Sequence, residues 1–211
     1  MAASGQQVEV PLATLAPGQR HAWLTALVVP RPIALVSTLS AAGIGNLAPF
    51  SFFALGGSNP PSIAFCPTAM RDGGPKDTLR NIRETGEYVI HVVTRATAER
   101  ANLASAMVPP EVDEFELAGF TRVPSRLVRP PRVAESPAAL ECRLVHEVPH
   151  GTGPMHSTWV IGEIVALHVD AAILAEDGLP DVAQLHAVAR LGRQEWAELA
   201  PDAVFSLPRP T

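Results

Sequence analysis

Helix breakers punctuate this chain from end to end. Proline occurs 21 times and glycine 15 times in 211 residues. An interior proline costs a helix about 3 kcal/mol, and a glycine about 1 kcal/mol relative to alanine. A bundle of long helices is therefore a poor solution, and many short elements joined by turns are favoured. Hydrophobic residues make up 47% and charged residues 18% of the chain, enough for one domain with a proper core, and global disorder is excluded.

The apolar runs agree with a β-rich fold. Ile33–Leu39 is rich in β-branched residues and stops at the turn Ala41-Ala42-Gly43. Asn46–Phe53 is a second extended segment, Gly56-Gly57-Ser58-Asn59-Pro60-Pro61 breaks the chain, and Ser62–Cys66 is a third strand. None of these alternates between apolar and polar, which predicts burial on both faces, as in a closed barrel packed on its outside. A helix follows, with Asp77 as N-cap, Leu79 and Ile82 on one face, Arg80 and Glu84 spaced i, i+4, and Gly86 as the terminating glycine. Tyr88–Val93 reads as a strand, and Thr97–Met107 as an alanine-rich helix stopped by Pro109-Pro110.

Ala139–Val148 is the most regular strand. Leu140, Cys142, Leu144 and His146 alternate with Glu141, Arg143, Val145 and Glu147, so the second face is expected to be mostly wet. Trp159–Val169 is another long strand, and the tail from Asp181 carries two short helical stretches. Residues 1–20, with Pro11, Pro17 and Gly18, read as a loose N-terminal arm, and residues 21–211 as one domain. The expected fold is mainly β: a barrel with peripheral helices.

Several function classes are disfavoured. A net charge of −5 gives no general attraction to nucleic acid or to an anionic membrane. No apolar run reaches the roughly 20 residues of a membrane helix, and Pro30 ends the run Trp23–Val29. The start Met-Ala-Ala-Ser-Gly-Gln-Gln lacks a basic region followed by an apolar stretch. Cys66 and Cys142 form no CxxC pair, so a cytoplasmic location is expected. His21, His91, His146, His150, His156, His168 and His186 are scattered without metal spacing, and HExxH, GxSxG, a Walker loop and a post-strand GxGxxG are all missing from the chain. No metal site is expected, and Cys66 reads as a small buried apolar residue.

One segment is electrostatically odd. Lys76 stands at the helix start and Arg71 five residues before it, although a cation at a helix N-terminus opposes the macrodipole by about 0.3–1 kcal/mol. The arrangement makes sense if the Lys76 ammonium, the Thr78 hydroxyl and the first-turn amides converge on an anion such as a phosphate. Ser37-Thr38 and Asn46-Leu47-Ala48-Pro49-Phe50-Ser51 place small polar groups and backbone amides at strand ends, suited to the edge of a flat polar ring or to plain turns.

Taken in order, Arg31-Pro32-Ile33-Ala34-Leu35-Val36-Ser37-Thr38, Gly45-Asn46-Leu47-Ala48-Pro49-Phe50-Ser51-Phe52-Phe53, Asn59-Pro60-Pro61 and Lys76-Asp77-Thr78-Leu79-Arg80-Asn81-Ile82 resemble the flavin reductase-like, FMN-binding split-barrel family. Val112-Asp113-Glu114-Phe115, Ala118-Gly119-Phe120, Leu140-Glu141-Cys142, Ile161-Gly162-Glu163-Ile164-Val165 and Arg190-Leu191-Gly192 extend the match over roughly residues 25–210, nearest to the longer, flavoredoxin-type members.

The resemblance implies a six-stranded antiparallel split barrel, a homodimer, and FMN near the dimer interface, with FAD or riboflavin as alternative flavins. By carry-over, Ser37, Thr38 and Asn46, Leu47, Ala48, Pro49, Phe50 and Ser51 would line the ring and ribityl chain. Lys76 and Thr78 would meet the phosphate, and Arg31 and Arg190 are further cofactor candidates. The implied activity is hydride transfer from NAD(P)H to flavin, then onward to a monooxygenase partner, ferric iron or another acceptor. The alternatives are a flavoredoxin-type FMN carrier without turnover, and a split barrel that has lost flavin or binds another planar cofactor such as haem. Many shorter relatives carry Gly-Asp-His ahead of the strand glycine; here Gly153-Pro154-Met155-His156 precedes Gly162 by six residues without the Asp. His156 is accordingly the one catalytic candidate.

Overall fold

The computed structural model describes residue 5 and residues 7–210. Its helices are α1 (Pro17–Leu27), α2 (Asp77–Thr85), α3 (Ala98–Leu103), α4 (Glu114–Leu117) and α5 (Val182–Leu185). Its strands are β1 (Arg31–Pro32), β2 (Ala34–Leu39), β3 (Gly45–Phe50), β4 (Phe53–Ser58), β5 (Pro61–Phe65), β6 (Glu87–Val92), β7 (Arg122–Val123), β8 (Arg132–Val133), β9 (Ala138–His150), β10 (Ser157–Val169), β11 (Val188–Arg190) and β12 (Trp196–Glu198). One antiparallel sheet runs β3-β2-β6-β9-β10-β5-β4, while β1-β11-β12 and β7-β8 form two small sheets.

Chain connectivity dictates the shape of the large sheet. Its two edge strands, β3 and β4, are joined only by Ser51 and Phe52, a link that reaches no more than about 3.5 Å per residue. Seven strands laid flat at about 4.8 Å spacing would hold those edges far apart. The sheet must therefore curl until its edges nearly meet, without a final ladder between them: a barrel split at β3/β4. Six strands (β2, β3, β5, β6, β9 and β10) contribute buried side chains to the interior, while β4 is exposed along most of its length and extends one edge. The fold is the mainly β split barrel with peripheral helices that the sequence led us to expect.

Both faces of the wall are covered, which is why the strands do not alternate. Ala34 and Val36 of β2 pack inward with Phe50, Ile63, Phe65, Tyr88, Ile90, Cys142 and Val160. Leu35, with Ile33, packs outward with Leu47, Phe115, Phe120 and Val133. Leu79 and Ile82 of α2 join the inner cluster, so this helix is part of the barrel core. Gly162 allows the closest internal approach: a Cβ there would lie 2.0 Å from the Tyr88 hydroxyl and 2.8 Å from the Arg143 carbonyl.

Several local expectations are corrected. Pro17 and Gly18 do not block structure. Pro17 opens α1 at a position where its missing N–H costs nothing, and the Gln19 side chain accepts from Ala16 N–H at 3.0 Å. The Gly56–Pro61 stretch does not end the strands, because Ser58 pairs with Pro61 across a tight β4–β5 hairpin. Lys76, not Asp77, occupies the N-cap of α2; Asp77 is its first residue and pairs with Arg80 at 2.6 Å, in place of an Arg80–Glu84 pair. The helix expected over Thr97–Met107 is confined to Ala98–Leu103. Glu141 does not face water, and the two short helical stretches of the tail, α5 and the 3-10 turn Pro201–Ala203, are separated by strands β11 and β12.

Candidate functional site

A cavity of about 170 Å³ opens at the split of the barrel. The Pro49–Phe52 segment, the link between the two sheet edges, forms one wall together with Cys66 and Thr68. Helix α1 contributes His21 and Thr25, β1 contributes Arg31, the start of α2 contributes Lys76, and the β11–β12 hairpin contributes Arg190 and Arg193. Larger hollows exist elsewhere, but their charge differs. The hollow beside α2 and the Pro110–Glu114 segment, about 270 Å³, is lined by Asp77, Glu84, Glu111 and Glu114 with Arg80 as its single cation, and it would repel an anion. At the split, four cations line the wall and, among the described residues, no carboxylate does.

Arg31 is buried and ties three elements together. Its Nη1 donates to the Thr25 and Val28 carbonyls at 2.6 Å each, its Nη2 to the Leu191 carbonyl at 2.8 Å, and its Nε lies 3.4 Å from Ser51 Oγ. A guanidinium on the carbonyls at the end of α1 is favourably placed against the helix dipole. Burial, followed by repulsion from Arg190, lowers its pKa. Lys76 Nζ sits 5.7 Å from the centre of the Phe50 ring. Surrounding protein atoms lower its pKa, although the side chain still reaches water at the cavity mouth. Among the described residues no carboxylate pairs with it. A lysine at the N-terminus of α2, facing a cation-lined cavity and lacking an acidic partner, leaves an anion as the missing charge.

The structure divides the sequence-derived candidates. Arg31, Pro49, Phe50, Ser51, Lys76 and Arg190 meet at the cavity. Ser37, Thr38, Asn46, Leu47 and Thr78 are buried away from it. Ser37 Oγ donates to the Pro131 carbonyl at 2.7 Å. Asn46 Nδ2 donates to Thr38 Oγ1 and to Thr78 Oγ1 at 3.1 and 2.9 Å, and Asn81 Nδ2 donates to Thr38 Oγ1 at 3.0 Å. These hydroxyls and amides therefore bolt α2 to β2 and β3. Leu47 lies in the outer core, and Ala48 packs half-buried against the inner one. Arg71 is exposed and lines neither the cavity nor its neighbour.

His156 lines a smaller adjoining cavity of about 70 Å³, which shares Thr68 and Lys76 with the first. Its Nδ1 is 2.7 Å from the Gly153 carbonyl, an acceptor, so Nδ1 carries the hydrogen and a neutral ring keeps Nε2 as an acceptor. No local sequence signal marks His21, Thr25, Phe52, Thr68 or Arg193 as site residues. His21 and Thr25 lie just beyond the arm at residues 1–20, and Arg193 comes from a hairpin 162 residues from Arg31.

Comparison with known proteins decides the family. The flavin reductase like domain matches residues 26–183. This chain belongs to the flavin reductase-like family. An uncharacterised protein of Halalkalibacterium halodurans is 42% identical over 195 residues, covering 92% of each chain. Among solved structures, nitrilotriacetate monooxygenase component B from Bacillus cereus matches with a TM-score of 0.91 at 29% identity, covering 97% of this chain and all of its own. Flavoredoxin of Desulfovibrio vulgaris matches with a TM-score of 0.73 at 30% identity, covering 86% and 91%. Membership sets this flavin reductase-like chain among proteins of flavin-linked redox chemistry.

Proposed function

We propose that this protein is an FMN-binding oxidoreductase that takes hydride from NAD(P)H and passes electrons to an acceptor. The observation that carries the reading is the cavity at the barrel split, with Arg31, Lys76, Arg190 and Arg193 in its lining and, among the described residues, no carboxylate. Within that lining, Lys76 at the start of α2 fits the phosphate of a flavin nucleotide, and a cation-lined cavity argues against a split barrel that has lost its ligand. At about 170 Å³ the cavity is smaller than the roughly 300–1,000 Å³ of pockets that enclose a whole ligand. It suits the phosphate end, with the remainder lying across the open split. Bound FMN would supply the hydride and electron chemistry.

The chain's own part is binding and orientation. Lys76 and the first turn of α2 would hold the phosphate. Arg31 holds the Ser51 turn, the end of α1 and the β11–β12 hairpin in mutual register. Ser51 and Phe52 lie outside both flanking ladders, so their N–H groups are not committed to strand pairing and would serve as donors to a ring carbonyl. A cavity open on one side, together with the exposed apolar side chains Leu27, Val28 and Leu55, supports a homodimer. His156 would stand beside the nicotinamide.

Anaerobic stopped-flow at 450 nm, mixing FMN-loaded protein with NADH and then NADPH, tests the proposal. Rapid bleaching by at least one nucleotide is expected. A yellow protein that neither nucleotide bleaches would instead favour the flavoredoxin-like carrier, a reading supported by the likeness to flavoredoxin.

A further inference from the structure

The cavity holds more positive charge than one phosphate monoester, at about two negative charges, can neutralise. Arg31, Lys76, Arg190 and Arg193 all line it. Assembling them has an electrostatic cost, visible in the repulsion between Arg31 and Arg190. The tip of the β11–β12 hairpin is built to keep Arg193 in place. Leu191 N–H donates to the Glu195 carbonyl at 3.0 Å and Glu195 N–H to the Gly192 carbonyl at 3.1 Å. Arg190 Nη2 donates to the Arg193 carbonyl at 2.8 Å, and its guanidinium lies 5.0 Å over the Trp196 ring. The hairpin abuts α1 so closely that a Cβ on Gly192 would fall 3.1 Å from Ala26 Cα. Arg193 itself is held at φ 53°, a left-handed conformation unfavourable for a side chain of this size. It is exposed and, among the described residues, makes no ion pair.

We propose that Arg193, steadied by Arg190, forms a second anion subsite that receives a phosphate of the reducing dinucleotide. Lys76 and the start of α2 are then left to the flavin phosphate. The inference rests on the nicotinamide reading above. The pyrophosphate and a 2′-phosphate share the required chemistry, and comparing NADP+ with NAD+ separates them.

Calorimetric titration of FMN-loaded protein with NADP+ and with NAD+ is the test, alongside titration of the flavin-free protein with FMN. Wild type, Arg193→Gly and Arg193→Lys are compared. Glycine accepts the left-handed backbone without strain, so Arg193→Gly removes the side chain without disturbing the turn. NADP+ affinity is expected to fall roughly tenfold in Arg193→Gly and to recover in Arg193→Lys, while FMN affinity stays within about twofold. An equal loss for both nucleotides assigns the subsite to the pyrophosphate, and a loss confined to NADP+ assigns it to the 2′-phosphate. Unchanged nucleotide binding in Arg193→Gly overturns the proposal alone, as does a parallel loss of FMN. A wild-type protein that binds FMN and neither nucleotide overturns the nicotinamide reading and this subsite together.

Discussion

His91 is fully buried, with Nδ1 2.9 Å from the Leu35 carbonyl and Nε2 accepting from Val133 N–H at 3.0 Å. A backbone N–H can only donate, so Nε2 is bare, Nδ1 carries the hydrogen, and the ring is neutral. Burial lowers its pKa to about 4. From pH 6.5 down to 4 the unfolded chain takes a proton that the native ring refuses, so this contribution to stability falls as pH falls. Glu114 has the opposite sign. Burial raises its carboxyl to about 7, although Oε2 accepts from Leu47 N–H at 3.1 Å. Between pH 4.5 and 7 the native carboxyl keeps a proton that the unfolded chain has lost, so stability falls as pH rises. The two slopes oppose each other where they overlap. Glu114→Gln keeps an acceptor for Leu47 and removes one slope. Its stability relative to wild type, from urea titrations across pH, should therefore rise by up to about 3 kcal/mol from pH 4.5 to above pH 7. A difference independent of pH would contradict the assignment. Neither group is legible in the sequence, because their burial comes from partners far along the chain. Lys76 is legible, because a cation at a helix start is odd on local grounds alone.

At the scale of elements, β9 is where alternation misleads. Glu141 occupies the face expected to be wet, yet it is fully buried and accepts from the N–H groups of Arg126 and Leu127 at 2.7 and 2.6 Å and from His168 Nε2 at 2.5 Å. These bonds outweigh desolvation and hold its pKa below the usual carboxylate value. The loop at residues 125–129, clamped by this carboxylate, covers that face at Glu141, while Arg143 and Val145 farther along it are exposed as strand periodicity predicts. Glu141→Ala strands two buried backbone donors and should cost about 2–5 kcal/mol by urea denaturation. A loss below about 0.5 kcal/mol, the scale of an ordinary surface change, would show that the clamp contributes nothing. Helix α1 escapes sequence reading for a related reason. Among its residues only Thr25 is buried, while Trp23, Leu24 and Leu27 are exposed, so it has no apolar stripe matched to its own core. Helix α2 was legible because Leu79, Ile82 and Gly86 fall where the helical repeat requires them.

For the molecule as a whole, the doubly buried strands carried the barrel, and the two-residue link between its edges places the split beside the cations. The assembly was outside the reach of periodicity. Leu27, Val28, Leu55, Phe205 and Leu207 are 60–84% exposed, apolar side chains that a second copy would cover in the proposed homodimer. Sedimentation at micromolar concentration should give twice the chain mass, and a persistent monomer would contradict the proposed homodimer. Lys76 and its neighbours reading as a phosphate site is the claim on which the function turns, and flavin affinity tests it most directly. Riboflavin has the same ring and ribityl chain as FMN but no phosphate. Wild-type protein should bind FMN about ten- to a hundredfold more tightly than riboflavin, and Lys76→Ala should close most of that gap by weakening FMN alone. Equal affinities for the two flavins, or an FMN affinity unmoved by Lys76→Ala, would contradict it.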